Sequence, residues 1–347
     1  MSSSKSATSS GVGDQNGQAL LDWCRKLIES DEKKAFFFNV VSMKEMKKKG
    51  RIDSLFYFPS CTLSQGTIQM VDKINSYIEK SREFGPKYIR QLVVLFKLLI
   101  PIKYGESLIQ FPQFCMILYN DCMYIAHELD VISVKYFSNT VETLLSDAAA
   151  SLRVFAEKER QALIKRQSII LHSYLSECKK FKDVYGNMKQ NKRAMEKIIN
   201  QLDTLKRLWC QVIDVSNGII LSSFGEMLEP ILKTMTSQIL DITDIGENES
   251  QDISTLMTFL IQWISENIPF ENAEISKFIP SWMNFRAVKT IMTMSLLEIL
   301  DDAKKSSSNR KLAGLPPNDL IKLVKAIFQE SDKRKEVISI ISQSTVE

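Results

Sequence analysis

The sequence predicts an all-α fold, an elongated bundle of long helices. Three observations carry this. Twelve glycines and nine prolines among 347 residues are too few for the many tight turns of a β-sandwich or barrel. Leu, Ile, Lys, Glu, Met and Gln fill the long segments, and these side chains lose little freedom in a helix. Apolar residues recur three and four apart almost continuously from Thr67 onward. With 44% apolar and 25% charged residues the chain can build a core, so wholesale disorder is not expected. Several connections are short, which favours antiparallel neighbours, and no repeat of fixed period is present.

Residues 1–17 are rich in Ser, Gly, Thr and Asn and are expected to form a disordered tail. Residues 18–52 form a short helical and basic lead-in. Leu20, Leu21, Trp23, Cys24, Leu27 and Ile28 make its amphipathic face, and Lys44–Arg51 its basic end. Between them, Phe36-Phe37-Phe38 with Val40 and Val41 reads equally as strand or helix. Phe58-Pro59 marks a turn, because the residue before Pro avoids the helical region.

Residues 53–243 read as a middle helical domain. Ile68, Val71, Ile74, Tyr77 and Ile78 share one face. Pro86 suits the first turn of the next helix, whose face holds Ile89, Leu92, Val93, Phe96, Leu99 and Ile100, and Pro101 is expected to close it. A helix spans Phe114–Val131, and one or two more span Val141–Ser176. Gly186-Asn187 is expected to break the chain. Ile198, Leu202, Leu205, Trp209 and Val212 then follow a 4-3-4-3 spacing, two heptads that call for close packing on a neighbour.

Asp244–Gln251 reads as a linker and residues 251–347 as a C-terminal helical domain. Its helices are Ile253–Ile268, stopped by Pro269, and one continuing from Trp282 through Val288, Ile291, Met292 and Ile299. Lys304–Lys311 is a basic loop. A helix follows Pro316-Pro317, and Ser331 is the expected N-cap of the last.

The chemistry-bearing residues form no catalytic or metal pattern. The net charge of +4 is too small to imply nucleic acid. No apolar stretch reaches the roughly 18 residues of a membrane span. Six cysteines lack Cys-x-x-Cys spacing, and without a secretory signal they read as reduced thiols of the cytosol or nucleus. Cys115, Cys122 and His127 share a segment, but Cys122 and His127 point about 140° apart on a helix, so no metal or cofactor is expected. There is no phosphate loop, no His-Glu-x-x-His and no nucleophile turn, and no enzyme is expected. Lys44–Arg51 and Lys304–Lys311 leave one alternative, a membrane-surface adaptor that binds acidic lipids. The methionines at 283–294 suit core packing or a partner groove.

Four blocks, in order, give the chain a family resemblance. They are Phe58-Pro59-x-Cys61-x-Leu63-Ser64; Asn120-x-Cys122 through His127-x-Leu129; Leu202-Asp203-x-Leu205-Lys206-Arg207-Leu208-Trp209; and Trp282-Met283-x-Phe285 with Leu320-Ile321-Lys322, Ala326-Ile327-Phe328-Gln329, Ser331 and Arg334. Together they resemble the C-terminal half of the zeste-white ten family of tethering and kinetochore proteins. Asp121 and Glu128 stand where the family pattern has Asn and a second His. The stretch from Val131 to Arg193 is not recognisable, and the family's long N-terminal helical region is not matched. Functions carried by that region, such as pairing with the Rint-type tether subunit, are therefore not implied.

The resemblance implies a non-enzymatic helical scaffold of the tethering-complex type. Such proteins serve in vesicle tethering at the endoplasmic reticulum, in retrograde Golgi traffic, and at the mitotic kinetochore. The implied partners are large α-solenoids: Rod at the kinetochore, with Zwilch in the same complex, and the neuroblastoma-amplified tether subunit at the endoplasmic reticulum. Dynein recruitment, checkpoint support and peripheral membrane association would follow through the complex. An apolar face would dock on the solenoid, and the most exposed of Trp209, Trp282, Phe285 and Phe328 is expected to anchor it.

Overall fold

The computed structural model describes residues 9–30, 37, 40–42, 62–80, 85–137, 145–178, 181, 184–213, 218–268, 272–305 and 310–343. Lys44–Arg51 and Phe58-Pro59 lie outside the described residues, as do residues 1–8. Among the described residues the chain is all-α: thirteen helices and one pair of three-residue strands. Two compact units are present: Met1–Leu163 with Arg207–Val215, and Ile164–Lys206 with Ser216–Glu347. The sequence reading places its boundary at Asp244–Gln251; the units change at 163/164 and 206/207, inside continuous helices, and again at 215/216.

In the first unit, α1 (Ser9–Glu29) buries Leu20, Cys24 and Ile28, four apart on one face, against α2 (Gln65–Lys80) and α3 (Gly85–Gln110). This helix starts within the expected Ser-rich tail. Gly17 accounts for part of the override: a Cβ there would come 2.2 Å from the Tyr88 ring, so only glycine lets α1 seat this closely. Tyr104 ties the far end of α1, its hydroxyl donating to the Ile28 carbonyl at 3.1 Å.

Helix α3 runs straight through Pro101, which was expected to end it. Proline in a helix interior costs about 3 kcal/mol. Beyond it, however, Tyr104 and Leu108 continue the buried face of Ile89, Phe96 and Ile100, and that burial outweighs the lost hydrogen bond. Helix α4 (Pro112–Phe137) is the most buried, and packs on α2 and α3. Strands β1 (Val40–Ser42) and β2 (Thr62–Ser64) pair antiparallel with Val41 opposite Leu63, and β2 lies on α4. Phe37 is core, edge-on to Tyr104 at 5.1 Å and stacked on Phe114 at 6.1 Å.

Helix α5 (Ser146–Ser176) is single, with 31 residues. Its first half meets α3 and α4 through Arg90–Asp147, Lys97–Ser151 and Arg153–Asp130. Helix α6 (Val184–Cys210) already contains Gly186 and Asn187, so the expected break falls just ahead of them. The heptad residues are all buried: Ile198, Leu202 and Leu205 in the second unit, Trp209 and Val212 in the first.

The second unit centres on α7 (Gly218–Leu240), which packs against α9 (Asn272–Phe278), α10 (Trp282–Ile291) and α12 (Pro317–Ile327). Gly225 lets α9 approach its backbone, since a Cβ there would lie 2.3 Å from the Phe278 carbonyl oxygen. Helix α8 (Glu247–Asn267) starts inside the expected linker, because Glu249 folds back to accept from the Gly246 amide at 3.0 Å. Trp263 on α8 donates its indole N–H to Asp203 on α6 at 2.7 Å.

The helix expected from Trp282 to Ile299 is two. It stops at Ile291, and α11 (Leu296–Ala303) begins anew with a capping box: Glu298 accepts from the Ser295 amide at 2.7 Å, and Ser295 Oγ receives the Glu298 amide. The Ser-x-x-Glu signal was present in the sequence but masked by continuous apolar spacing. Helix α13 (Asp332–Gln343) closes the unit against α11 and α12, with Ser331 Oγ accepting from the Arg334 amide as its N-cap.

Candidate functional site

Asn120 and Asp121 interrupt the apolar run of α4 at its most buried turn. Asp121 Oδ1 accepts the Ser64 amide at 2.9 Å. Asn120 Nδ2 donates to the Thr62 carbonyl at 3.1 Å and to the Val212 carbonyl at 3.5 Å. The Thr62 amide also donates to Val212 at 2.9 Å. Two remote segments, β2 and the turn at 211–213, are thereby pinned to one helical turn. Burial pushes the Asp121 carboxyl up to about 7, against the lowering effect of hydrogen bonds from the Ser64 amide and the Ser64 and Thr67 hydroxyls. The clasp is structural: its hydrogen bonds all run to protein groups of the same unit, and among the described residues Asn120 Oδ1 is buried with no partner.

The buried thiols are shielded from chemistry. Burial raises Cys122 well above the usual thiol value, with Asp121 and Glu159 adding to it. Burial likewise pushes Cys24 up to about 12 and Cys178 up to about 11. The reactive form is the thiolate, so these three stay protonated at neutral pH. Cys115 donates to the Leu108 carbonyl. No cluster of three or more His, Cys, Asp or Glu with metal-binding geometry occurs among the described residues. Among them, too, no helix is long and apolar enough to cross a membrane.

The four candidate anchors separate into two kinds. Trp209, Trp282 and Phe285 are each 0% exposed, filling the cores of their own units. With no accessible surface, they have none to offer a partner in this conformation. Each fills a space worth roughly 1.5–3 kcal/mol of burial. Phe328 is the exception, half-buried just past the end of α12.

Phe328 lines a groove of about 420 Å³ with Ile327, Met292 and Met294 and with the polar Glu247, Ser250, Gln251, Thr293 and Ser295. Its backbone is held from two sides: the amide donates to Val324 O at 3.2 Å, and the carbonyl accepts from Arg334 Nη1 at 2.6 Å. Ser250 Oγ donates to the Met292 carbonyl, fixing the opposite wall. The result is a rigid aromatic edge beside adaptable thioethers. Sequence spacing grouped Phe328 with the buried face of α12. It missed that the chain turns extended there, with φ −113° and ψ 136°. The Lys304–Lys311 loop is described at 304, 305, 310 and 311, where Lys304, Lys305 and Lys311 are exposed.

Comparison with known proteins bears on both units. Residues 56–173 match the sequence model of the centromere/kinetochore protein zw10, C-terminal, and residues 193–341 that of the ZW10 C-terminal helical domain. The chain is 21% identical over 310 residues to the centromere/kinetochore protein zw10 homolog of Rattus norvegicus, covering 82% of this chain and 40% of that protein. It is 22% identical over 295 residues to the zw10 protein of Drosophila grimshawi, with 82% and 39% covered, and 20% over 308 residues to the Arabidopsis thaliana homolog, with 82% and 40%. The chain thus spans about 40% of the length of these relatives. Its backbone aligns with the globular tail of Myo4p over 94% of this chain and 93% of that one, at a TM-score of 0.45 and 11% identity, too weak a likeness to define a shared fold.

Proposed function

The chain belongs to the ZW10 family through its two C-terminal domains, and on that premise we propose that it is a non-enzymatic scaffold subunit that docks onto a large helical partner. Centromere and kinetochore names among its relatives favour a place in kinetochore assembly during mitosis. The finer reading adds vesicle tethering at the endoplasmic reticulum, with an α-solenoid as the direct partner: Rod in one setting, the neuroblastoma-amplified subunit in the other. Zwilch and dynein would then be reached through the complex.

One observation carries the docking reading, the half-buried Phe328 at the edge of a groove where Met292 and Met294 stand among polar side chains. Interfaces concentrate their energy in a few aromatic anchors next to well-packed pockets, where truncation commonly costs 2 kcal/mol or more. Phe328 meets that description, and its clamped backbone reduces the ordering cost of binding.

The test is affinity purification of the tagged chain from interphase and mitotic cells, beside its Phe328→Ala variant. Recovery of the solenoid by the unaltered chain, reduced at least tenfold for the variant, is the expected result. Equal recovery by both, with the variant still helical by circular dichroism, rules Phe328 out as the anchor. Recovery of neither solenoid rules out docking through this half alone.

A further inference from the structure

A second pocket lies at the N-terminal end of α12, between α11, the turn at 310–315 and α13. It holds about 180 Å³ and is lined by Ile299, Leu312, Leu315, Leu320 and Ile341, with Arg310 at its edge. It shares no lining residue with the Phe328 groove.

Its size selects an occupant. An apolar cavity of about 150 Å³ holds a benzene molecule, so this one accepts a phenyl or branched aliphatic side chain. A lipid acyl chain is too long: it reaches about 15 Å, half the hydrocarbon core of a bilayer, whereas a space of this volume is about 6 Å across.

Its edge selects the company that side chain keeps. Lys304, Lys305, Arg310 and Lys311 stand around the turn, against Asp301, Asp302 and Glu298. Lys305 pairs with Asp302 at 3.8 Å. Hydrogen bonds from the Ser295 amide and hydroxyl lower the Glu298 carboxyl, and Lys311 lies near enough to help, which leaves Arg310 as the cation at the pocket. Asp302 also lines the pocket, but its carboxylate is buried and committed. Oδ1 accepts the Lys311 amide at 2.9 Å and Oδ2 the Leu312 amide at 3.0 Å, which fixes the turn that carries the cations. Arg310 uses Nε to donate to the Lys305 carbonyl at 2.9 Å. Among the described residues its two terminal nitrogens have no partner, leaving an oriented fork suited to a carboxylate.

We propose that this pocket is a docking site for a short acidic peptide of a partner protein, which inserts one Phe- or Leu-sized side chain while a flanking carboxylate meets Arg310. The inference goes beyond the Phe328 reading and does not depend on it.

The experiment is fluorescence anisotropy of the full chain with a fluorescein-labelled peptide, Asp-Glu-Phe-Glu-Asp-Gly, and with the same peptide carrying Ala for Phe. Ala313 is exposed on the rim, so Ala313→Trp fills the pocket from outside, and Arg310→Ala removes the fork without entering the core. The expected result is saturable binding, at least tenfold weaker for the Ala peptide and for each variant, with Phe328→Ala unchanged. Three outcomes overturn the proposal. They are no binding up to about 1 mM, the weakest affinity of practical interest; equal affinity for the Phe and Ala peptides; or binding indifferent to both Arg310→Ala and Ala313→Trp. A fourth result is equally decisive: if the peptide does not bind and Arg310→Ala instead releases the chain from phosphatidylserine vesicles, the basic turn serves a membrane.

Discussion

Replacing Asp121 with Asn should stabilise the first unit, by an amount that depends on pH in a defined way. The native carboxyl titrates at about 7 against an ordinary value of 3.8, a displacement of about three pH units caused first by burial. Below 3.8 both folded and unfolded chains hold the proton, and the site is neutral to stability. Between 3.8 and 7 the unfolded chain gives up its proton while the native state keeps it, so stability falls by about 1.4 kcal/mol per pH unit. Above 7 both states are ionised and the loss levels off near 4 kcal/mol. An Asn side chain keeps the Oδ1 acceptor for the Ser64 amide and supplies an N–H to the Ser64 and Thr67 hydroxyls, without a charge to bury. Urea titrations of both proteins at half-unit steps from pH 4 to 8, followed by far-ultraviolet circular dichroism, should show curves that nearly coincide at pH 4. They should separate to a few kcal/mol at pH 7 and run parallel beyond it. A gap independent of pH, or an Asn variant less stable at pH 7, would refute the account of Asp121 as a carboxyl kept protonated by its surroundings.

Other substitutions probe the second unit. Asn191 is wholly buried, and among the described residues neither its side-chain oxygen nor its nitrogen has a partner, so Asn191→Leu should raise stability by about 1–3 kcal/mol. A fall in the melting temperature would mean that the amide is satisfied by a bound water. Gly225→Ala should lower it: helix propensity alone offers a gain of about 1 kcal/mol, but the new Cβ meets backbone at 2.3 Å and must push α9 away. Calorimetry showing a higher melting temperature for this variant would contradict the contact.

Periodicity made the helices legible, because the buried positions of α2, α8 and α12 recur at the spacing a helix face requires. Where local chemistry competed with packing, the reading failed in both directions. Pro101 looked like a stop and is not one, because Tyr104 and Leu108 bury beyond it. Ser295 looked like a continuation and is a start, because its capping box outweighs an unbroken apolar row. The candidate site was less legible. Aromatic size singles out Trp209, Trp282 and Phe285, yet large side chains gain most by being wholly buried in their own units. The informative aromatic was Phe328, left half-buried by a change of backbone direction that no spacing rule encodes. In the 120–129 segment the eye goes to His127 and Cys122. The two adjacent polar residues in an otherwise buried face, Asn120 and Asp121, do the positioning.

The clasp at Asn120 also dictates the order in which the first unit can be completed. Its partners lie 58 and 92 residues away along the chain, and Thr62 reaches across 149 residues to Gln211. Contacts of such long range close late and slowly. During synthesis α1 to α4 emerge first, and the Thr62 amide and half of the Asn120 amide must wait for the turn at 211–213. A fragment cut at the end of α5 would bury those donors with no acceptor. The smallest autonomous piece of this unit is therefore discontinuous in sequence, and to fold alone it must carry residues 207–215 joined back to the first 163.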